Sequence, residues 1–355
     1  MVVAEVTHAD GGAKRFERAS FTGSAREYFG IWIVNVLLSI LTLGIYSAWA
    51  KVRRKRYFYG NTILLDHSFE YHARPMKILI GRLIVLIFVA LTQMVANVFP
   101  PAAPFMSLAI LLLLPFLLVR GLRFNARVTS YRNVRFDFVG TVGGAFACFC
   151  FGGLMVVCSL GLLLPYSTRW YHRYLFDNLR YGDRKLSTRP PVADLYGAYG
   201  IVVVFLIVSF MLVFAALRGG YLYLRVPGTP GVDPGGVLLI AFAVPLVLYL
   251  IGAQYYRAAV RNIVWSSASV DGRHDLRSDL DRIRFTWIFI SNIVVTLCTL
   301  GLLRPWAAVR QARYVIEHTA IRLDGDPGVV FDRIGASGSA ISAEYLDVDG
   351  FDFGF

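Results

Sequence analysis

Arginine, tyrosine and asparagine at fixed spacing can grip phosphates and lipid headgroups, and this chain repeats such a set three times without an insertion. Each copy opens on Thr or Ser, Leu and Gly, with an aromatic five residues past the Gly. Arg-Tyr follows at twelve and thirteen past it, and Asn or His at seventeen. The first copy runs from Thr42-Leu43-Gly44 through Trp49, Arg56 and Tyr57 to Asn61. The second runs from Ser159-Leu160-Gly161 through Tyr166, Arg173 and Tyr174 to Asn178. The third runs from Thr299-Leu300-Gly301 through Arg304, Trp306, Arg313 and Tyr314 to His318. These glycines, aromatics, arginines and terminal Asn or His residues are the candidate ligand- or headgroup-binding set. A structural reading competes: Asn accepts the left-handed conformation that ends helices, a cation complements the last helical turn, and Trp and Tyr anchor at a membrane boundary.

Other chemistry is absent from the motif inventory. The sequence has no Gly-rich loop ending in Lys-Ser or Lys-Thr, no His-Glu-x-x-His and no Gly-x-Ser-x-Gly elbow. The six His are scattered, and Cys148, Cys150, Cys158 and Cys298 all lie in apolar runs, without zinc spacing. Acidic residues are missing from the centres of the apolar runs, which removes the usual carboxylate relay of a proton-coupled carrier. The expectation is a chain with no catalytic residues, no metal and no cofactor.

The elements that must position the repeated set are hydrophobic. Of 355 residues, 56% are hydrophobic and 17% charged, with a mean hydropathy of +0.56; this is too apolar for an ordinary soluble domain. The net charge of +13 comes mainly from Arg, and beside apolar helices it favours anionic headgroups over nucleic acid. Glu5, His8, Asp10 and Lys14 occupy the start, with no cleavable leader pattern, so the first apolar run is expected to remain in the mature protein.

Two segment pairs read as transmembrane hairpins, about 77–98 with 104–121 and about 196–217 with 236–258. The three repeat-bearing segments are flanked by basic residues at both ends. If all seven segments cross, the 36 basic residues divide into about 19 and 16; if the repeat segments enter and return, about 33 share one side. The second split favours a mainly α-helical polytopic membrane protein. In it, two transmembrane hairpins alternate with three Gly-broken re-entrant or interfacial elements.

A short β-like stretch follows each helical element, and Arg precedes Asn or His by five at 56/61, 120/125, 173/178, 257/262 and 313/318. The stretches are Thr62-Ile63-Leu64, Arg127-Val128-Thr129, Leu179-Arg180-Tyr181, Ile263-Val264-Trp265 and Thr319-Ala320-Ile321. Partners are expected at Phe69-Glu70-Tyr71, Val134 to Phe138 and Val329-Val330-Phe331, with Phe16 to Phe21 adding a strand. Together these imply a small cytoplasmic sheet. The chain divides into 1–27, an N-terminal cytoplasmic strand region; 28–61, repeat element 1; and 62–141, strands and hairpin 1. Then follow 142–178, repeat element 2; 179–284, strands and hairpin 2; 285–335, repeat element 3 and strands; and 336–355, an acidic tail.

The stretch Tyr28-Phe29-Gly30-Ile31-Trp32-Ile33-Val34-Asn35, continuing from Leu41-Thr42-Leu43-Gly44 through Trp49-Ala50-Lys51-Val52-Arg53-Arg54-Lys55-Arg56-Tyr57 to Asn61, resembles the YjgN-like family of bacterial inner-membrane proteins, a family of unknown function. The resemblance covers about residues 15–325. It implies a multi-pass protein of the bacterial inner membrane and carries no activity over. Copy two departs most, with Trp170-Tyr171-His172 where copy one has a basic run.

The functional expectation is a non-enzymatic module that binds or moves a lipid or small amphiphile, with anionic headgroups at the cytoplasmic face as partners. The alternative is a membrane-anchored scaffold that recruits a protein partner through its sheet and the acidic tail from Glu344 to Phe355. Nucleic acid is not an expected partner. Both termini are expected on the cytoplasmic side.

Overall fold

A computed structural model describes residues 16–225 and 234–325, with Phe331 and Ile334. One plan occurs five times: a helical hairpin, then a strand pair. The first hairpin is α1 (Ala25–Leu41) and α2 (Ser47–Gly60), followed by β3 (Thr62–Leu64) and β4 (His67–Tyr71). The second is α3 (Pro75–Val98) and α4 (Ala103–Arg127), followed by β5 (Thr129–Tyr131) and β6 (Val134–Phe138). The third has α5 (Val142–Phe146), a π-helical turn at Ala147–Phe151 and α6 (Gly152–Cys158) as its first arm. Its second arm is α7 (Leu164–Asp177), before β7 (Leu179–Tyr181) and β8 (Arg184–Thr188). The fourth is α8 (Val192–Arg225) and α9 (Pro234–Ser266), followed by β9 (Ala268–Val270) and β10 (His274–Ser278). The fifth, α10 (Arg282–Cys298) and α11 (Arg304–Glu317), is followed by β11 (Thr319–Arg322).

The fifth strand pair is completed by the other end of the described chain. β1 (Phe16–Arg18) pairs antiparallel with β11, and β2 (Ser20–Phe21) pairs with β3. Ala19 alone separates them, and its N–H donates to Thr319 O at 2.9 Å. One extended segment therefore bridges both ends of an eleven-stranded antiparallel sheet, closing it into a barrel-like ring. Two turns of this ring, Leu65-Asp66 and Arg132-Asn133, have positive φ at both residues, as tight two-residue hairpins require. The helices also form a closed circuit: each hairpin packs on the next, and α1 packs on α11.

Among the described residues, four helical stretches are long and apolar enough to cross a bilayer: Pro75–Val98, Pro100–Arg127, Val192–Arg218 and Ala241–Ser266. They belong to the second and fourth hairpins and extend past the bounds the sequence suggests. The first, third and fifth hairpins have first arms of 17 residues and second arms of 14.

Two expected strands are corrected. Arg127 ends α4 and Ile263-Val264-Trp265 lie within α9, so β5 and β9 start two to five residues later. The intrahelical bonds of these long, packed helices outlast the local β-preference of the β-branched residues. Phe331 is helical rather than extended, and with Ile334 it packs against Tyr131, Val134, Tyr181 and Leu186 of the ring. Val329, Val330 and the acidic tail lie outside the described residues.

Candidate functional site

The repeated frame has a structural explanation, residue by residue. Gly44 N donates to Ser39 O at 2.7 Å and Leu43 N to Ile40 O at 3.1 Å, the paired bonds of a Schellman helix end. The same pair occurs at Gly161 and Leu160, onto Val156 O and Val157 O, and at Gly301 and Leu300, onto Thr296 O and Leu297 O. Gly44, Gly161 and Gly301 have φ of +90°, +89° and +89°, where a side chain would be strained. The Thr or Ser hydroxyl joins the two arms. Thr42 Oγ1 donates to Leu38 O at 2.7 Å and accepts from Tyr46 N at 2.9 Å. Ser159 and Thr299 do the same toward Leu163 N and Leu303 N. Pro165 and Pro305, fully buried, stand in the first turn of α7 and α11, where a missing N–H costs nothing.

The Arg-Tyr pair closes the other end. Tyr57, Tyr174 and Tyr314 hydroxyls donate to Ser24 O, Thr141 O and Asp281 O at 2.7, 2.9 and 3.2 Å. Each acceptor is the N-cap of its own hairpin's first arm, whose side chain in turn accepts a backbone N–H of the first turn. Arg56 reaches forward to Tyr71 O at the end of β4 and to Ala73 O just past it, and Arg313 reaches Gly23 O at 2.8 Å. Arg173 instead lies 3.8 Å from Asp177.

These contacts correct the alignment of the junctions. Arg123, not Arg120, is the counterpart of Arg56 in the second hairpin, since it bonds Phe138 O and Gly140 O in the same pattern. Asn262 takes that place in the fourth, with Nδ2 donating to Leu280 O. Asn125 and Asn262 are therefore inside helices. Nor is a left-handed backbone used at the true caps, where φ is −94° at Asn61, −105° at Asn178 and −99° at His318. Asn61 and Asn178 instead donate their side-chain amides to the carbonyl four residues back, and the His318 ring makes the equivalent bond.

The thirteen candidate residues are thus distributed around the ring rather than gathered into one site. Trp306 and Arg313 come together with Arg284, Trp287, Arg310 and Glu317 around a cavity of about 330 Å³ beside α1. Arg310 there is tied to Ser291 Oγ and Asn292 Oδ1. Trp49 stacks on Tyr46, Tyr166 is exposed and Arg304 sits exposed at the start of α11. Arg82, a charge inside an apolar helix, donates to Ser47 Oγ at 2.6 Å. Lys55 donates to Asn125 Oδ1 and lies over the Tyr71 ring. Burial, then the charges of Lys51 and Arg54, push its pKa down to about 8.

A larger cavity, about 660 Å³, opens between α7, α9 and α11, and none of the thirteen lines it. Ser167, Thr168, Tyr171 and His172 face it from α7, and Arg257, Arg261 and Trp265 from α9. Gln311 and Val315 contribute from α11, and Cys148 and Phe149 from the π-helical turn. Among the described residues, none that lines it is acidic. Tyr256 donates to Thr168 Oγ1 across the α7–α9 seam, and Arg261 donates to Thr319 Oγ1 at 2.8 Å. Burial pushes the His172 pKa down to about 4, so its ring is neutral near pH 7. Among the described residues, no group of three His, Cys, Asp or Glu is placed to hold a metal ion.

Sequence reasoning missed this site because its residues come from separate hairpins. Two signals were present: Arg257 and Arg261 stand four apart at the end of an apolar run, and copy two breaks its frame at Tyr171-His172.

Five helical hairpins on a closed strand ring, four of their helices of bilayer length, make this a polytopic membrane protein. A family model described as a bacterial protein of unknown function (DUF898) matches residues 16–348, and the chain belongs to that family. Inner membrane protein YjgN of Salmonella typhimurium strain LT2 is 24% identical over 360 residues, covering 86% of this chain and 88% of its own length. Inner membrane protein YjgN of Escherichia coli O157:H7 is 33% identical over 153 residues, which is 43% of this chain and 38% of that protein. The chain is a multi-pass inner-membrane protein. No solved structure matches it.

Proposed function

We propose that this chain is a non-enzymatic membrane module that binds or moves a lipid or small amphiphile at the cytoplasmic leaflet. The observation that supports this best is the 660 Å³ cavity, whose wall joins apolar and aromatic side chains to two arginines; small-molecule sites have that composition. The second and fourth hairpins cross the bilayer in this reading, and the first, third and fifth enter and return. A 17-residue arm rises only ~25 Å, and α2 carries Lys51, Arg53, Arg54, Lys55 and Arg56, which lipid tails would not accept. The sheet and both termini then share the basic, cytoplasmic side.

The test is retention. Protein extracted in mild detergent and passed through size exclusion is expected to keep one amphiphile, identified by mass spectrometry of the extracted lipid. Widening the cavity wall into the cavity with Gly153→Trp should release it. Gly153 is suited to this because it lines the cavity and a Cβ there meets no atom within 4 Å. An amphiphile that is never retained, or is retained equally by the variant, would sink the proposal.

A further inference from the structure

The wall of the large cavity is unbalanced in charge. Arg257 and Arg261 lie one helical turn apart on the same face of α9. Neither is paired with a carboxylate among the described residues. Arg261 is held in place: its guanidinium lies 4.5 Å from the centre of the Trp265 ring, and one terminal nitrogen bonds Thr319. Its Nε is buried and has no acceptor among the described residues, as is also the case at Arg132, Arg169 and Arg180. Arg261 thus lines the cavity with its guanidinium already held in place, so an anion that enters meets a pre-oriented donor.

The same place is where the fivefold plan is broken. Frame positions with structural work to do recur from copy to copy. Tyr171 and His172 replace Arg54 and Lys55 of copy one, and copy three has Gln311 and Ala312 there. The first arm of the third hairpin has the same 17 residues as its two counterparts. It alone of these three arms contains a π-helical turn, Ala147–Phe151, and that turn supplies Cys148 and Phe149 to the cavity wall. Such turns often mark functional sites.

We propose that this cavity binds a single phosphate-type oxyanion borne on an apolar body, with Arg257 and Arg261 as the anion's donors. Arginine suits this because its planar fork bonds two oxygens at once. Gln311, Thr168 and neutral His172 offer further hydrogen bonds, and Phe149, Phe285 and Trp265 receive the apolar part. The inference rests on the amphiphile reading above and specifies the chemistry of its ligand. The anion could come from a membrane lipid headgroup or from a soluble phosphate ester.

Titration of the full chain in detergent, delipidated beforehand, separates these cases. The probes are phosphatidic acid, phosphatidylglycerol, phosphatidylcholine and inorganic phosphate, with Trp fluorescence and thermal unfolding as readouts. Anionic lipid is expected to bind and phosphatidylcholine to bind at least about tenfold more weakly. Arg261→Gln and Arg257→Gln should each weaken anionic-lipid binding at least about tenfold, while exposed Arg74→Gln leaves it unchanged. Should an arginine variant fail to fold, Gly153→Trp blocks the cavity with both arginines intact, and must abolish binding. Equal binding of phosphatidylcholine, insensitive to the arginines, overturns the anion assignment and leaves the amphiphile reading standing. Inorganic phosphate binding as tightly as the lipids keeps the arginine site and removes the need for an apolar body. No binding by any probe removes both.

Discussion

Leu43, Leu160 and Leu300 hold a left-handed backbone, with φ of 49°, 52° and 49°, a conformation that costs an L-residue roughly 1–2 kcal/mol. Glycine would fit better at each, yet all three hairpin tips carry leucine, 95% exposed. A tip that faces lipid, as in the proposed re-entrant arrangement, would account for that choice. Replacing each leucine by glycine should leave the tip bonds intact and raise stability in detergent by ~0.5–1 kcal/mol, measured by thermal unfolding. A fall would mean that the side chain packs within the fold. The opposite sign is expected for Tyr174→Phe, which loses one hydrogen bond worth ~1 kcal/mol, and for Tyr57→Phe and Tyr314→Phe, which lose two each. At this scale the sequence was legible in residue type, and the structure adds the part each residue plays within the fold. Arg56, Arg313, the three Tyr hydroxyls and the Asn61 and Asn178 amides bond carbonyls of the same chain, whereas Arg173 faces Asp177.

At the scale of elements, the short and long hairpins differ in length and in polarity of the second arm. Basic flanks and the Gly break made the short ones visible in sequence. The five helix-to-strand junctions were visible too, but the long hairpins were harder to align because full-length helices replace their Thr/Ser-Leu-Gly tip. Their Asn residues also fall out of step with the true caps, Arg123 and Asn262 taking the place of Arg56. Strands β8 and β10 escaped notice because Arg184–Thr188 and His274–Ser278 are mostly polar, so no apolar alternation announces them. The topology proposed above rests on the length difference and can be checked by labelling single cysteines in a chain lacking its four native ones. Ala102→Cys, at the turn between α3 and α4, should react only from outside. Lys185→Cys, exposed on β8, should react only from inside, and Leu43→Cys should be shielded from both. Labelling of Leu43→Cys from outside would mean that the first hairpin crosses.

For the whole molecule, closure of the strand ring decides how the hairpins are held. Each hairpin enters and leaves through neighbouring strands, so the helical circuit is only as fixed as the ring beneath it. The seam is the N-terminal segment, where Phe16–Arg18 pairs with β11 and Ser20–Phe21 with β3. Arg18 adds an ion pair to Asp279 and a bond to Glu317 O, and Phe16 lies under the guanidinium groups of Arg277 and Arg322. Ala19, buried between the two strands, supplies the N–H that spans the switch from one partner strand to the other. Ala19→Pro removes that donor and leaves Thr319 O without it, at a cost of about 1–3 kcal/mol. It also loosens two strand edges that invite pairing with another chain. The expected result is a lower unfolding temperature and a shift toward aggregates in size exclusion. The effect should exceed that of Ser20→Ala, which keeps the backbone donor. Equal behaviour of the two variants would mean that the ring does not depend on its seam. The short hairpins and their cavity would then owe their positions to helix packing alone.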